Sequence, residues 1–329
     1  SGTSKNVVHK VGSVLLYTSY LGNQRWFAKA VERKLNEIHS HHPIDVVFSV
    51  CSPISAHVGA ARFCKRHPEI RSVAYTVDPY ATIDRIRPLG KSLSDLFDYE
   101  CKWLNNFNSV LLSEEMFDNR DGLTNQIKHC VPLPYLLPPF IDYSSVHRKT
   151  SDGKIHCVYA GSFYEDIRNP EFMLKVFLML HKHNIVLHLY SQGCEHLVRQ
   201  FAGCRNIIQH GLVRSSELQQ IYADADALIG IGNSLKEFLP SKTFEYVATR
   251  KPIIYFNYPE IDNIVLVNYP SAIQIEMSEN VNEVVARLYS FLSQLDGALV
   301  SEQQISQAYS KYSPANIKQI LKTSFESIK

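Results

Sequence analysis

The chain has 329 residues, more than one hydrophobic core usually supports, so two domains are expected. Hydrophobic residues make up 45% and charged residues 20%, a composition that excludes a disordered or fibrous protein. The 34 basic and 32 acidic residues give a net charge of +2, too weak a field to attract nucleic acid, and no nucleic acid partner is expected.

The first half of the chain alternates β-rich runs with helical patterns. Predicted strands lie at Val14 to Tyr17, Asp45 to Cys51, Ser72 to Val77 and Ser109 to Ser113. Predicted helices lie at Arg25 to His39, Ala56 to Lys65 and Ser92 to Asn105. This alternation indicates βαβ units and a parallel sheet, so we predict a Rossmann-like domain at residues 1–140.

A change of composition marks the end of this domain. Four prolines crowd into residues 131–139, and a polar segment that ends at Gly153 follows them. Prolines fix the backbone φ angle and remove hydrogen-bond donors, which favours an extended connector. We therefore predict a linker at residues 141–153.

The alternation restarts after the linker. Predicted strands lie at Lys154 to Ala160, Ile185 to Tyr190, Asn206 to Gln209, Ala227 to Ile231, Pro252 to Phe256 and Ala272 to Glu276. Predicted helices begin at Asn169 and lie at Ser215 to Ala223, Ser241 to Thr249 and Val281 to Gln294. We predict a second doubly wound domain at residues 154–312, and a last helix, set off by Pro314, at residues 313–329.

Ligands of open parallel sheets bind beyond the carboxyl ends of the strands, where loops and helix N-termini offer N–H groups. The first strand of the second half ends in the turn Gly161-Ser162, and Arg168 lies just before the next helix. A glycine turn, a hydroxyl and a guanidinium at a helix entrance suit a diphosphate. The alternative is a tight turn with a solvated arginine, because short motifs also match by chance.

A second candidate segment lies between a predicted strand and helix. Pro240 followed by Ser241 favours a helix that begins near Ser241, where free N–H groups and the Lys242 ammonium can converge on phosphate oxygens. Glu245, one turn further, can accept hydrogen bonds from two vicinal hydroxyl groups of a ribose. The alternative is an amphipathic helix in which Glu245 is merely solvated.

Residues 154–260 resemble the retaining GT-B glycosyltransferases, in particular the family 4/1-like bacterial group that builds surface polysaccharides and glycolipids. Glu237 and Glu245 look like the paired glutamates of that family, and Pro240-Ser241-Lys242 is common in one bacterial branch. The resemblance implies an α/β protein of the GT-B fold, with two Rossmann-like doubly wound domains facing a cleft.

The same resemblance implies a donor-binding set. Arg168 falls where the family places a basic residue on the donor diphosphate, after the Gly161-Ser162 turn. The segment with Gly211 and Val213 is similar to the one whose backbone meets the nucleotide base. Ser241, Lys242 and Glu245 complete the expected set.

Two residues are expected to be catalytic by the same resemblance. Asp78 ends a strand of the first half, where the family has a polar residue near the acceptor, although Asp-Pro also initiates turns. Glu237 is expected to hold the sugar or the acceptor hydroxyl together with Asp78. Similar enzymes have additional strand–helix units before that strand, so we expect a truncated first domain, to which the last helix returns.

No metal and no cofactor are expected. The seven cysteines include no C-x-x-C pair, and no carboxylate or cysteine pattern accompanies the histidine groups near His39 and His181. The resembled family generally needs no divalent ion. The co-substrate implied by the resemblance is a nucleotide sugar such as a UDP- or GDP-sugar.

The sequence contains no apolar run of about 18 residues and no signal-peptide pattern. We therefore expect a cytoplasmic protein, associated peripherally with the inner face of the membrane if its acceptor is lipid-linked. The predicted function is sugar transfer from a nucleotide sugar to a glycan or lipid-linked acceptor, with retention. Two alternatives stay open: a non-catalytic nucleotide-sugar-binding subunit, and a sugar-nucleotide epimerase on the same fold.

Overall fold

The computed structural model describes residues 20–77, 80–82, 90–114, 126–143, 152–234, 240–261 and 265–326. The chain divides into two compact units, one made of Ser1–Pro134 with Ala315–Lys329 and the other of Tyr135–Pro314. The strand predicted at Val14 to Tyr17 and most of the predicted linker lie outside the described residues. No helix in the described ranges is long and apolar enough to cross a membrane.

The first unit contains a sheet of four parallel strands in the spatial order β1-β2-β3-β4. The strands are β1 Val46–Cys51, β2 Arg71–Thr76, β3 Ser109–Ser113 and β4 Cys130–Leu133. The helices before and between them are α1 Arg25–His41, α2 Ile54–Arg66 and α3 Leu93–Leu104. These bounds confirm the predicted helices and the three predicted strands that are described.

Strand β4 contradicts the prediction that an extended connector begins at residue 131. It includes Pro132 and pairs with β3 alone among the described strands. Because proline cannot donate a ladder hydrogen bond, it is tolerated on an edge strand, which β4 is in the described sheet. The proline-rich composition therefore concealed the last strand of this sheet.

The second unit contains six parallel strands in the order β10-β9-β8-β5-β6-β7. The strands are β5 Ile155–Ser162, β6 Ile185–Gln192, β7 Ile207–Gln209, β8 Ala227–Ile231, β9 Ile253–Asn257 and β10 Ala272–Glu276. The helices are α4 Glu171–Met179, α5 Glu195–Val198, α6 Ser215–Asp224, α7 Lys242–Thr249, α8 Val281–Ser293 and α9 Glu302–Ala308. Every strand predicted for this half is present.

Central strands of the second sheet are apolar throughout. All five residues of β8 and all five of β9 are buried, as expected when helices cover both faces of a parallel sheet. One cluster on the first face includes Phe177, Leu187 and Ile254, and another on the opposite face includes Val158, Phe244 and Ile253. The unit therefore has the two-layered core of a doubly wound domain.

The last helix, α10 Pro314–Glu326, begins at the proline that was predicted to interrupt the C-terminal helical pattern. Its Ile317 packs with Val73 of β2, Leu111 of β3 and Leu133 of β4. The helix thus covers one face of the first sheet. The C-terminal residues belong to the first unit although the second unit precedes them in the chain.

The strand order of the second sheet reverses between β5 and β8. From β5 the chain continues to β6 and β7 on one side, then returns to place β8 directly against the other side of β5. The loops that leave these two strands diverge, which opens a crevice beyond their carboxyl ends. This is the topological position where ligands of such sheets bind.

Candidate functional site

A narrow crevice lies at this switch point. The end of β5 contributes Gly161, β8 contributes Gly230, and Arg168 comes from the loop after β5. Pro240 and Lys242 line the crevice from the start of α7. The structure therefore brings together two of the sequence-predicted cationic residues, Arg168 and Lys242, in one place within the second unit.

A neutral amide holds the Arg168 guanidinium. Its Nε and Nη2 both donate to Oδ1 of Asn233, at 3.2 and 2.7 Å, and the Asn233 side chain is buried. Burial raises the pKa of the neighbouring Tyr159, an effect that the positive charge of Arg168 opposes. The neutral Tyr159 hydroxyl donates to the carbonyl of Ser162 at 3.2 Å and so closes the turn that follows β5.

Helix α7 starts at Lys242, with Ser241 as its N-cap, one residue after the predicted start. Thr243 N–H donates to the Pro240 carbonyl at 3.0 Å and Phe244 N–H to the Ser241 carbonyl at 3.1 Å. These two backbone donors are therefore engaged within the chain. The cationic donor at this helix start is the Lys242 ammonium.

Tyr246 fixes α7 against β5. Its buried hydroxyl donates to the carbonyl of Ala160 and accepts from the N–H of the same residue, both at 3.3 Å. Because Tyr246 is one turn from Lys242 and Ala160 precedes Gly161, this contact sets the width of the crevice. Burial raises the pKa of Tyr246 well above its ordinary value, so the hydroxyl keeps its proton.

A wider groove of about 540 Å³ adjoins the crevice and shares Lys242 with it. Glu245 of α7 and Tyr222 of α6 line this groove, together with Ser215 at the start of α6. Its volume is within the range that holds a small ligand. Crevice and groove together form a continuous site around Lys242.

Lys242 and Glu245 pair with each other inside this site. The ammonium lies 2.9 Å from Oε2 of Glu245, and both side chains are partly exposed. Such a pair, three residues apart on a helix and in contact with water, contributes little free energy, typically below about 1 kcal/mol. A ligand that brings a phosphate to Lys242 and hydroxyls to Glu245 could replace the pair at small cost.

Four other predicted donor residues line neither the crevice nor the groove: Ser162, Gly211, Val213 and Ser241, the N-cap of α7. Ser162 Oγ accepts a hydrogen bond from Gln192 at 3.2 Å. Gly211 has a φ angle of +74°, which favours glycine, and it lies with half-buried Val213 in the loop between β7 and α6. That loop leads directly to Ser215 in the groove.

Gly230 shows why one position in the crevice needs glycine. A Cβ atom placed there would lie 2.4 Å from a ring carbon of Tyr255 on β9. Tyr255 also lines the crevice, so a larger residue at 230 would displace the tyrosine ring from its wall.

Neither predicted catalytic residue can be placed, because Asp78 and Glu237 lie outside the described residues. The residues that follow Asp78 are anchored within the first unit. Both N–H groups of Tyr80 and Ala81 donate to the carboxylate of Glu100 on α3, at 3.0 and 3.1 Å. Burial raises the pKa of Glu100 to about 7, although these two hydrogen bonds oppose the rise.

One group of possible metal ligands occurs among the described residues: His39, His67 and Glu69 have ligand atoms within 4.8 Å of one another. Its chemistry does not suit a cation. The N–H of Ile44 donates to Nδ1 of His39 at 3.0 Å, so the neutral ring carries its proton on Nε2 and presents no second lone pair. Asp226, another acidic residue of the second unit, has a structural contact: its carboxylate accepts a hydrogen bond from the N–H of His156 at 2.8 Å.

The sequence analysis missed Asn233, Tyr246, Tyr222 and Tyr255. Asn233 carried one usable signal, since it follows a buried strand at its carboxyl end, where polar residues serve ligands. The tyrosines carried none, because their ring burial and their hydroxyl contacts depend on elements that are distant in sequence.

Residues 154–293 match the family described as Glycosyl transferases group 1. This part of the chain is similar to the glycosyltransferase domains of that family. The match agrees with the resemblance carried by residues 154–260. No curated protein sequence matches the chain.

Solved structures similar to this chain show its fold. A glycosyltransferase from Rickettsia africae aligns with a TM-score of 0.66 and 11% identity, over 92% of this chain and 82% of that one. Sucrose-phosphate synthase from Thermosynechococcus elongatus aligns with a TM-score of 0.64 and 9% identity, over 92% of this chain and 78% of that one. The pneumococcal O-GlcNAc transferase GtfA, solved in complex with UDP and GlcNAc, aligns with a TM-score of 0.57 and 14% identity, over 92% of this chain and 60% of that one. Two parallel-sheet α/β domains of the GT-B kind are the common architecture.

Proposed function

We propose that this glycosyltransferase moves a sugar from a nucleoside diphosphate sugar to a glycan or lipid-linked acceptor, with retention of the anomeric configuration. The observation that carries the proposal is the crevice at the switch point of the second sheet, lined by Arg168 and Lys242. Two cationic side chains at the carboxyl ends of parallel strands suit a diphosphate.

The chemistry accounts for the two charges. Transfer breaks the bond between the anomeric carbon and the diphosphate oxygen, and a new bond forms from that carbon to an acceptor hydroxyl, whose proton passes to the departing diphosphate. Negative charge grows on the leaving diphosphate as the bond breaks. Arg168 and Lys242 stabilise that charge where it develops, which is typically the largest single contribution to catalysis.

The groove next to the crevice suits the nucleoside. With the diphosphate at Lys242, the ribose hydroxyls reach the carboxylate of Glu245, and the base extends toward Ser215 and the loop with Gly211 and Val213. The complex of pneumococcal GtfA with UDP and GlcNAc favours UDP as the first nucleotide to test. A GDP-sugar is the second candidate.

Asp78 and Glu237 complete the proposal as the residues that hold the sugar and the acceptor hydroxyl. The reaction as proposed uses no metal and no cofactor, because the two cationic side chains supply the charge that a divalent ion would otherwise provide. Retention is tested by the anomeric configuration of the product, read from the proton coupling constant by NMR. An inverted product would contradict it.

We infer further that the acceptor is met at the cytoplasmic face of a membrane. Helix α1 exposes Trp26 and Phe27, which are 63% and 49% accessible, and the cationic groups of Arg25 and Lys29 lie 5.5 and 5.1 Å from the Trp26 ring. Aromatic and basic side chains together suit an anionic lipid surface. Sedimentation with phosphatidylglycerol vesicles should fall in a Trp26→Ala, Phe27→Ala double variant, and no sedimentation of the wild type would contradict the inference.

The direct test of sugar transfer is a panel of UDP- and GDP-sugars. We expect one donor to be consumed with release of the nucleoside diphosphate, and Arg168→Ala to lose this turnover. Arg205→Ala is the matched control, because Arg205 is exposed and lies before the amino end of β7, an edge strand of the described sheet, whereas the crevice lies beyond the carboxyl ends of β5 and β8. Binding of a nucleotide sugar without turnover for any acceptor would instead favour a binding subunit, and interconversion of the donor sugar would favour an epimerase.

A further inference from the structure

Asn233 is a direct hydrogen-bond partner of the Arg168 guanidinium. The asparagine follows β8, its side chain is only 8% accessible, and its Oδ1 accepts two hydrogen bonds from Arg168. Two donors on one acceptor fix both the position and the plane of the guanidinium. Arg168 also interacts with the hydroxyl of Tyr159, and it lines the crevice.

The two loops that carry these residues are also joined through their backbones. Ser234 N–H donates to the carbonyl of Ile167 at 2.9 Å, and Ser234 Oγ donates to the carbonyl of Asp166 at 2.8 Å. The loop of Arg168 is itself closed, since Arg168 N–H donates to the Tyr164 carbonyl at 2.8 Å. With both backbones held, the main remaining freedom is the side-chain rotamer of Arg168, which Asn233 removes.

The hydrogen-bond acceptor at position 233 is a neutral amide, and its neutrality affects the net charge around Arg168. A carboxylate would accept the same two hydrogen bonds, but it would also cancel the positive charge of Arg168. Within the described part of the chain, no carboxylate lies in ion-pair contact with Arg168, whereas Lys242 is already paired with Glu245. Arg168 is therefore held without being neutralised.

We propose that Asn233 is a positioning residue, which orients Arg168 toward the donor diphosphate and leaves its charge uncompensated. The inference rests on the proposed function, because it assigns a diphosphate to the crevice. It adds a specific requirement to that function: the residue at 233 must be a hydrogen-bond acceptor without a negative charge.

Asn233→Asp and Asn233→Ala form a matched pair of variants. Both lose the amide N–H groups, Asn233→Ala also loses the acceptor, and Asn233→Asp keeps an acceptor of the same shape but adds a charge. The affinity for UDP and GDP, and for uridine and guanosine, is measured by calorimetry for each variant. Melting temperatures confirm that the variants fold.

We expect Asn233→Asp to weaken diphosphate binding by about 10- to 100-fold and Asn233→Ala by about 3- to 10-fold, with nucleoside binding unchanged in both, since a carboxylate pairs with the arginine directly. If the role is only structural, Asn233→Asp binds UDP or GDP like the wild type, and the inference is wrong. It is also wrong if nucleoside binding falls in parallel with diphosphate binding.

The failure of the proposed function gives a different pattern. In that case the wild type itself does not bind UDP or GDP, or Arg168→Ala binds them equally well, and both the function and the inference are overturned. If Arg168→Ala loses diphosphate binding while Asn233→Asp keeps it, only the role of Asn233 is excluded.

Discussion

The cationic side chains at the crevice of the second unit and the buried titratable side chains of the first unit are used in opposite ways. In the second unit, Arg168 and Lys242 stand on loops and a helix start at the point where the strand order reverses, and both are partly exposed. In the first unit, the described strands follow one another without a reversal, and two titratable groups, His57 and Glu100, are fully buried.

The partners of those buried groups show what they do. His57 lies between Ser49 of β1 and Thr76 of β2, at 2.7 and 3.3 Å, and Glu100 accepts the N–H groups of Tyr80 and Ala81. They hold strands and a loop together and leave no charge toward solvent. The comparison teaches that a reversal of strand order provides a site for ligands, whereas a sequential sheet uses polar groups for its own cohesion.

The largest expected effect is on the second unit. Arg168→Ala removes the charge that we propose stabilises the leaving diphosphate, so we expect kcat/KM to fall by about 100- to 1000-fold, which is the usual cost of losing one such donor. Steady-state assays with the accepted donor measure it. If kcat/KM of Arg168→Ala falls by less than about 5-fold while Arg205→Ala is unaffected, Arg168 does not act on the leaving group. The contrast between the crevice and the buried groups of the first unit would then be wrong.

The next largest effect is expected on the pH dependence of the stability of the first unit. Burial lowers the pKa of His57 from 6.5 to about 4, so the folded state resists protonation. Its contribution to stability is present above pH 6.5 and is lost as the pH falls from 6.5 toward 4, in total about 3 kcal/mol. His57→Gln, which can keep the hydrogen bonds without titrating, should make stability less sensitive to acid in that window.

Glu100 gives the stability of the first unit the opposite dependence on pH. Burial raises its pKa from 4.5 to about 7, so its contribution is present below pH 4.5 and is lost as the pH rises from 4.5 to 7, again in total about 3 kcal/mol. Relative to the wild type, Glu100→Gln should therefore gain stability as the pH rises through that window. In the wild type, the effects of His57 and Glu100 on the pH dependence of stability have opposite signs and nearly cancel.

Fluorescence isolates the first unit in this experiment, because both tryptophans, Trp26 and Trp103, belong to it. Urea unfolding followed by tryptophan emission at several pH values gives the stability of each variant. If the two variants show the same pH slope as the wild type, the buried groups do not titrate as described, and the account of the first unit is wrong.

The smallest expected effect separates the crevice from the groove. Glu245→Ala removes the acceptor proposed for the ribose and also releases Lys242 from its ion pair, so the affinity for UDP should fall by only about 10-fold. Uridine binding should fall by the same factor, whereas Arg168→Ala should leave uridine unaffected. Equal effects of both variants on uridine would show that crevice and groove are not distinct subsites.

Sequence patterns predicted most of the architecture because both sheets follow a simple alternation of strand and helix. They missed β4, because Pro132 is unfavourable in a strand unless the strand lies at an edge. The boundary between the units was predicted at residue 140, whereas the second unit begins at Tyr135. In the second unit, Ile141 N–H donates to the Ala248 carbonyl at 3.1 Å, a contact that composition cannot reveal.

The candidate site was only partly accessible to sequence reasoning. Arg168 and Lys242 could be predicted, since each sits at a helix entrance after a strand, where anions bind. The position of Asn233 after a buried strand was a usable signal, but its pairing with Arg168 could not be predicted, because the two residues are 65 positions apart and the contact depends on how two loops fold together. The Lys242–Glu245 pair was likewise unforeseen, although its spacing of three residues permits it.

A crystal structure of the protein with UDP tests the central claim most directly. The account predicts a diphosphate oxygen within about 3.2 Å of the Arg168 guanidinium and of the Lys242 ammonium, with the ribose hydroxyls at Glu245. A diphosphate bound elsewhere, with neither Arg168 nor Lys242 in contact with it, would contradict the account.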